Sequence, residues 1–389
     1  MNFTNIEFWQ SLLLIGLPFV IVRFCIRKLN YWPKQGDALG LLMLSLYLFW
    51  LMSRVSFSIF MVELVINFAA LQAIQKCSSW GKYIFAGLAI ALNLSVLGYF
   101  KYSSFIFGVK TNNQVIPPGI SFYIFQLIGL IVDSFRGHIS ERIQAINYAN
   151  FVSFFPQIVA GPIERWSFLS PQLQLYQLSF KNLELGIRWI VLGLFVKLVI
   201  AENLATYTRF SVANTGNAWE VWLWASLFGL QLYFDFAGYS FIALGLAKSL
   251  GINLTVNFLA PYTATDIQDF WRRWNVSLME WFRDYIYFPL GGSRVPWTAF
   301  NILIVFIISG IWHGAGWNFV LWGLYHGIIL NAQRYLAPKL KMSKNFGWLL
   351  TVISVMFGWI FFAESNLMRL KAEVLAIFNP VAYGFDQKR

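Results

Sequence analysis

Apolar residues run in long blocks along the chain, and polar residues collect in the short gaps between them. A bilayer-spanning helix needs about 20 mostly apolar residues. Residues 8–26 form the first such block, despite Arg23. Blocks 38–52 and 55–75 follow, separated only by Ser53-Arg54, which predicts a tight hairpin or a partly re-entrant pair. Lys76 and Lys82 bracket the next turn, and 83–100 is a further span. Residues 115–133 open on Val115-Ile116-Pro117-Pro118-Gly119, a helix start or break, since proline lacks the N–H that a helix interior needs. Residues 147–163 end in Phe154-Phe155-Pro156-Gln157-Ile158-Val159-Ala160-Gly161-Pro162, apolar sequence cut by breakers. That pattern predicts a re-entrant or membrane-edge element buried in protein. Block 184–201 is another span, and 219–250, with Gln231, Asp235 and Gly238, is either two helices or one long tilted one. From 269 to 285 charged and aromatic residues interleave with no breaker until Pro289, which predicts one amphipathic helix at the interface or dipping into the protein. Gly291-Gly292 gives a turn, blocks 299–312, 316–337 and 347–363 complete the spans, and a mixed tail runs from 364 to 389. The expectation is an all-α, polytopic transmembrane bundle of roughly ten embedded helices, some re-entrant or interfacial. Residues 1–389 read as a single domain with its motif core at about 115–330, and no segment reads as a separate soluble domain.

Composition supports this pattern. Hydrophobic residues make up 58% of the chain and charged residues 12%, against about 25% charged in soluble domains. The 18 Trp and 17 Tyr suit membrane–water interfaces, where an apolar ring meets a wet edge. The net charge of +12 raises nucleic acid as a partner, but the basic residues sit between apolar blocks, as in loops facing anionic lipid. Nucleic-acid binding is therefore not expected, and membrane lipid is. Arg27, Lys28 and Lys34 make the 27–37 loop cytoplasmic by the positive-inside rule, with the N-terminus outside. The first block lacks a cleavage site and reads as a retained helix. Cys25 and Cys77 form no CxxC or Cys/His pattern, so neither a disulfide framework nor a metal site is expected.

The chain has three histidines. His313, in Ser309-Gly310-Ile311-Trp312-His313-Gly314-Ala315-Gly316-Trp317, and His326, in Tyr325-His326-Gly327, lie in apolar sequence. Ionisable groups there mark functional sites, and histidine exchanges protons near neutral pH. The bland alternative is a hydrogen bond to a neighbouring helix. His138, beside Arg136-Gly137, reads as a solvated loop residue. Arg272 and Arg273 would hold a carboxylate or phosphate, or snorkel to lipid phosphates. Asp235 would pair with an Arg of the 272–283 stretch or orient a substrate. GxGxxG, Walker, GxSxG and HExxH patterns do not occur. Intramembrane polar residues also mark transport paths, which leaves a transporter as the rival class.

The run Asp269-Phe270-Trp271-Arg272-Arg273-Trp274-Asn275-Val276-Ser277-Leu278 through Trp281-Phe282-Arg283-Asp284-Tyr285-Ile286-Tyr287-Phe288-Pro289-Leu290-Gly291-Gly292 resembles the membrane-bound O-acyltransferase family. The similar branch is the bacterial one that holds the membrane subunits of alginate O-acetylation and, more distantly, the D-alanyl transfer proteins of teichoic acid synthesis. Pro118-Gly119-Ile120-Ser121-Phe122-Tyr123, Phe155-Pro156-Gln157 with Ala160-Gly161-Pro162, Asp235-Phe236-Ala237-Gly238-Tyr239-Ser240 and Gly310-Ile311-Trp312-His313-Gly314-Ala315 carry the same resemblance, in the same order, over about 40–365. It implies helices around a central funnel or tunnel in a bacterial inner membrane. It also implies His313 as the catalytic histidine, acting as general base, with Asn275 holding the reacting groups. The 271–285 stretch would shape the donor entrance, with Trp271, Arg272, Arg273, Trp274, Arg283, Asp284 and Tyr285 as binding residues, joined by Asp235, Trp312 and His326. The donor it implies is an acetyl or other short acyl thioester, on coenzyme A or an acyl carrier protein, that serves as a substrate and not as a tightly bound cofactor. The acceptor is a hydroxyl of a cell-envelope polysaccharide, reached directly or through an extracytoplasmic transferase partner. Long-chain lipid or protein acylation is the alternative inside the family. This chain has Asn275 where the bacterial branch usually has His, which argues against a mechanism with two titrating histidines. It also ends sooner after Gly358-Trp359-Ile360-Phe361-Phe362 than that branch does, as a shorter relative or one that relies on a partner would.

Overall fold

The computed structural model describes residues 3–28, 35–77, 80–108, 116–174, 178–209, 216–336, 339 and 342–384. Lys34, Val115 and the terminal Gln387-Lys388-Arg389, which entered the expectations above, lie outside the described residues, as do the side chains of Arg27 and Lys28. The described chain is an all-α membrane bundle in two units, Met1–Leu194 with Tyr239–Thr255, and Phe195–Gly238 with Val256–Arg389.

In the first unit, α1 (Ile6–Lys28) exposes Leu13, Leu14, Leu17 and Ile21, a surface suited to lipid tails. Its buried Arg23 meets Asp37 at the start of α2 (Gly36–Met52), through two hydrogen bonds of 2.6 and 2.8 Å. Only Ser53 separates α2 from α3 (Arg54–Lys76); it is extended, and its hydroxyl caps α3 by accepting from Ser56 N–H. The expected hairpin break is therefore one residue long. Helix α4 (Trp80–Phe107) meets α3 through a reciprocal amide pair, in which Asn93 Nδ2 donates to Asn67 Oδ1 at 2.6 Å and Asn67 Nδ2 to Asn93 Oδ1 at 3.4 Å. The unit continues with α5 (Ile120–Phe135), α6 (Ala145–Ser153), α7 (Trp166–Gln174) and α8 (Phe180–Leu194).

Two of the sequence motifs meet in this unit. Gly119, at φ +77°, caps α5, and a Cβ there would fall against Ile158 O and 2.9 Å from Val159 Cα. Only glycine gives both that backbone region and that approach. The breaker-rich stretch after α6 forms turns rather than helix, with Phe154, Phe155 and Ile158 buried. It is tied to its neighbours by amide donors, since Gln126 Nε2 and Gln157 Nε2 both donate to Phe151 O at 2.9 Å, while Gln157 Oε1 has no partner among the described residues. Irregular backbone enclosed in protein in this way is what an apolar medium tolerates.

A π-helical turn, Phe195–Ala201, leads into α9 (Glu202–Thr208). Block 219–250 is one helix, α10 (Ala218–Ser249). The second unit then holds α11 (Ile267–Arg273), α12 (Val276–Phe282), a π turn at Arg283–Tyr287, and α13 (Thr298–His313), α14 (Trp317–Leu336), α15 (Lys344–Ala363) and α16 (Leu367–Phe378). The single amphipathic helix expected over 269–285 is thus corrected: it is broken at Trp274-Asn275, for a backbone reason given below. Helices α13 and α14 pack closely because Gly310 and Gly323 have no Cβ to collide with Phe319 O and Phe306 O. Among the described residues, α1, α3, α4, α10 and α15 are long and apolar enough to span a membrane, and α2, α5 and α13 are shorter apolar helices.

Candidate active site

The site is built from the break between α11 and α12. Asp266 Oδ1 caps α11 by accepting from Asp269 N–H at 2.7 Å. The helix stops because Trp274 turns extended and pairs with Phe258, while Leu259 N–H donates to Arg273 O and Val276 N–H to Asn257 O, each at 3.0 Å. Asn275 then takes a left-handed conformation, φ +46°, which asparagine tolerates better than most residues. Its own side chain does not cap α12. Asn257 Oδ1 does so instead, accepting from Ser277 N–H at 3.1 Å. Asn275 is left buried, and its Nδ2 has no hydrogen-bond partner among the described residues.

His313 is the last residue of α13, with extended Gly314 as its C-cap. Three rings contact its imidazole edge-on, with centroids at 4.9 Å (Trp312), 5.1 Å (Phe362) and 5.2 Å (Trp322), and the residue keeps partial exposure. His326, on α14, is fully buried. Trp271 lies 4.8 Å away, Trp322 5.0 Å and Tyr325 5.1 Å. Neither of its ring nitrogens has a hydrogen-bond partner among the described residues. Trp322 is the shared wall, touching both histidines and also Trp271 at 5.5 Å. The structure links Asn275 to this group through its neighbour Trp274, whose ring is 4.9 Å from Trp359, which in turn stacks on Trp322 at 6.4 Å.

A cavity of about 900 Å³ opens beside these rings. Trp271, Val276, Ile302, Val305, Phe306 and Leu330 supply apolar walls, and Arg272, Arg283 and Arg334 supply positive charge against Asp266 and Glu280. Arg272 is exposed and forms no ion pair among the described residues, and the same holds for Arg334. Arg283 is engaged by Asp284 at 2.8 Å and Glu280 at 3.6 Å, and the Asp284 hydrogen bond holds its pKa above the usual guanidinium value.

The remaining predicted residues divide clearly. Arg273 does not line the cavity; Asp269 holds it at 2.9 Å, which raises its pKa, and it donates to Thr263 Oγ1 at 3.2 Å. Asp284 serves Arg283, and Tyr285 packs on Trp281 at 5.1 Å. Trp274 and Trp312 are buried walls. Asp235 was expected to pair with an Arg of the 272–283 stretch, and that is corrected: its partner is Lys197 at 2.5 Å, from the π turn. His138 is exposed, 3.6 Å from Asp133, as a loop residue should be. Among the described residues no group of three or more His, Cys, Asp or Glu could hold a metal.

The model of the membrane-bound O-acyltransferase family matches residues 39–370. The chain belongs to the membrane-bound O-acyltransferase family. It is 33% identical to the peptidoglycan O-acetyltransferase of Helicobacter pylori, across 91% of this chain and 78% of that protein. It is 35% identical to the probable alginate O-acetylase AlgI of Azotobacter vinelandii, across 84% and 70%, and 29% identical to the teichoic acid D-alanyltransferase of Bacillus subtilis, across 85% and 82%. This membrane-bound O-acyltransferase transfers acyl groups, and the transporter reading falls away.

Sequence reading missed several residues of this candidate site. Trp322, Trp359 and Phe362 enclose the histidines, yet each sits in an apolar helix where one aromatic residue looks like another. Asn257 caps α12 from 20 positions away in sequence, and no local signal announces it. Arg334 stands in the last turn of α14, where a basic residue is ordinary.

Proposed function

We propose that this O-acyltransferase moves a short acyl group, acetyl, from a thioester donor to a hydroxyl of a cell-envelope polysaccharide, with His313 as general base. The observation that carries the reading is the contrast between the two histidines. His313 keeps partial exposure at a helix end, while His326 is sealed among rings with no open side. In the proposed step His313 takes the acceptor hydroxyl proton as its oxygen bonds to the thioester carbonyl carbon. The C–S bond then breaks, and the imidazolium returns its proton to the leaving sulfur. The amide of Asn275, free to donate, would hold the carbonyl or the acceptor oxygen.

The cavity supports a donor with an anionic head and an apolar arm, coenzyme A or the prosthetic arm of an acyl carrier protein. Arg272 and Arg334 bring charges that form no ion pair among the described residues, and Trp271 joins the cavity wall to Trp322 and so to His313. The names of the three relatives, acting on peptidoglycan, alginate and teichoic acid, support a cell-envelope acceptor. The same reading puts the chain in a bacterial inner membrane with its N-terminus outside, working with an extracytoplasmic transferase.

The test is acceptor acetylation from labelled acetyl-coenzyme A by purified protein in lipid nanodiscs. His313→Ala should lose about 10²–10⁴-fold in rate, the usual worth of a positioned base, with unchanged thermal unfolding. Near-normal turnover by that variant refutes the mechanism.

A further inference from the structure

The ion pairs Arg23–Asp37 and Lys197–Asp235 both lie in apolar sequence, and they differ in exposure. Arg23–Asp37 is closed, with side chains 7% and 12% exposed. Lys197–Asp235 is open: the Lys197 side chain is 15% exposed, but that of Asp235 is 47% exposed. Lys197 Nζ takes Asp235 Oδ1 at 2.5 Å, and Oδ2 has no partner among the described residues.

The depth of this pair makes the exposure informative. Asp235 is the eighteenth residue of the 32 in α10, counted from Ala218. At 1.5 Å per residue it stands roughly 20 Å or more from either helix end. A carboxylate does not face hydrocarbon at that depth; charged groups in spans face the protein interior or a polar cavity. Lys197 reaches it from a π-helical turn, a distortion that often accompanies function.

The chemistry of the open side selects its ligand. Lys197 already neutralises the carboxylate, so a second cation gains little, and the bare oxygen repels an anion. A neutral hydroxyl gains a strong acceptor with no net charge to compensate. One turn away on the same face, Gln231 Oε1 accepts from Thr208 Oγ1 at 2.5 Å, which leaves the Gln231 amide nitrogen as a donor. Side chains four apart on a helix stand about 5–6 Å apart at Cβ, a spacing suited to separate hydroxyls of one sugar. The same face carries Phe228, whose ring lies 6.5 Å from Phe362, which is 5.1 Å from His313.

We propose that Lys197–Asp235, with Gln231, binds a neutral polyhydroxylated acceptor, a sugar, on its way to His313; this rests on the hydroxyl-acceptor reading above. The experiment measures equilibrium binding of labelled chitotetraose to the full-length protein in nanodiscs, with dodecanol as a single-hydroxyl control. Asp235→Asn should weaken chitotetraose binding at least about tenfold, as expected for a hydrogen bond to a charged group, and leave dodecanol binding unchanged. The double variant Lys197→Met, Asp235→Leu guards against misfolding, because it removes both charges together and leaves neither without its counter-ion. It should lose chitotetraose binding to the same extent. Absence of saturable chitotetraose binding by the unaltered protein overturns the proposal. Binding by the double variant within twofold of normal overturns it too, as does parallel loss of sugar binding, dodecanol binding and thermal stability. Sugar binding that depends on Asp235 but is never followed by acetyl transfer would uphold the site and refute the enzymatic reading instead.

Discussion

Gly358→Ala adds one methyl group to α15 and tests whether His326 is locked in place. The new Cβ would fall against His326 Nε2, 2.8 Å from Cε1 and 3.2 Å from Tyr325 Cε1. Carbon atoms pack at about 3.5–4.0 Å, so the overlap with Cε1 is roughly 0.7 Å or more. The imidazole cannot swing away, because Trp271, Trp322 and Tyr325 stand within 4.8–5.1 Å of it by centroid. Overpacking of this kind costs about 1–3 kcal/mol. Against it, alanine gains about 1 kcal/mol over glycine in a helix. The upper part of the overpacking range therefore prevails, with a net loss of about 1–2 kcal/mol. Gly87, in α4, has nothing within 4 Å of its Cβ position, so Gly87→Ala shows the propensity gain alone. The assay is thermal unfolding of both variants in one detergent–lipid mixture, with acetyl transfer measured on the same samples. Gly358→Ala as stable as Gly87→Ala would show that the cage is loose, and the account of His326 would be wrong.

Three further outcomes are expected. Asn275→Gly keeps the left-handed backbone and removes only the amide, so acetyl transfer should fall by at least tenfold with the fold intact, whereas Asn275→Val should destabilise by about 1–3 kcal/mol; circular dichroism with activity separates the two. Arg272→Ala should raise the donor KM without lowering the melting temperature, while Arg273→Ala, which cuts the tie to Asp269, should change donor KM little; equal effects would contradict the division of roles. Arg23→Met removes both hydrogen bonds that the buried Asp37 carboxylate accepts from the guanidinium and should cost about 3–5 kcal/mol, largely restored by adding Asp37→Leu; chemical unfolding of the single and double variants measures it.

The bundle was legible because a bilayer forces long apolar blocks, and α1, α3, α4, α10 and α15 fall where those blocks lie. The break at Asn275 was not, because nothing local marks it. Apolar and charged residues interleave evenly across 269–285, and the helix is interrupted by pairing with Phe258, eleven residues before the run begins. Asp235 was singled out as an acid in a span, but its partner was misjudged. Nothing in block 184–201 marks Lys197 as that partner, and a π turn carries it to α10. His313 stood out through its glycines and its apolar setting. That it stays open while His326 is enclosed depends on rings from four helices, α11, α13, α14 and α15, a property of packing that spacing along one chain does not encode.

The single-residue joint at Ser53 bears on how the protein is made. With no loop between α2 and α3, there is nothing to thread across the membrane between them, so the two enter as one piece. Helix α3 would be a poor solitary passenger, since it carries Glu63 and Asn67 on its buried side. Asn67 finds its amide partner only when α4 arrives with Asn93. The nascent chain would therefore keep α3 beside the insertion machinery until α4 is synthesised, and a pause in translation before Asn93 emerges would leave an unmatched amide facing lipid.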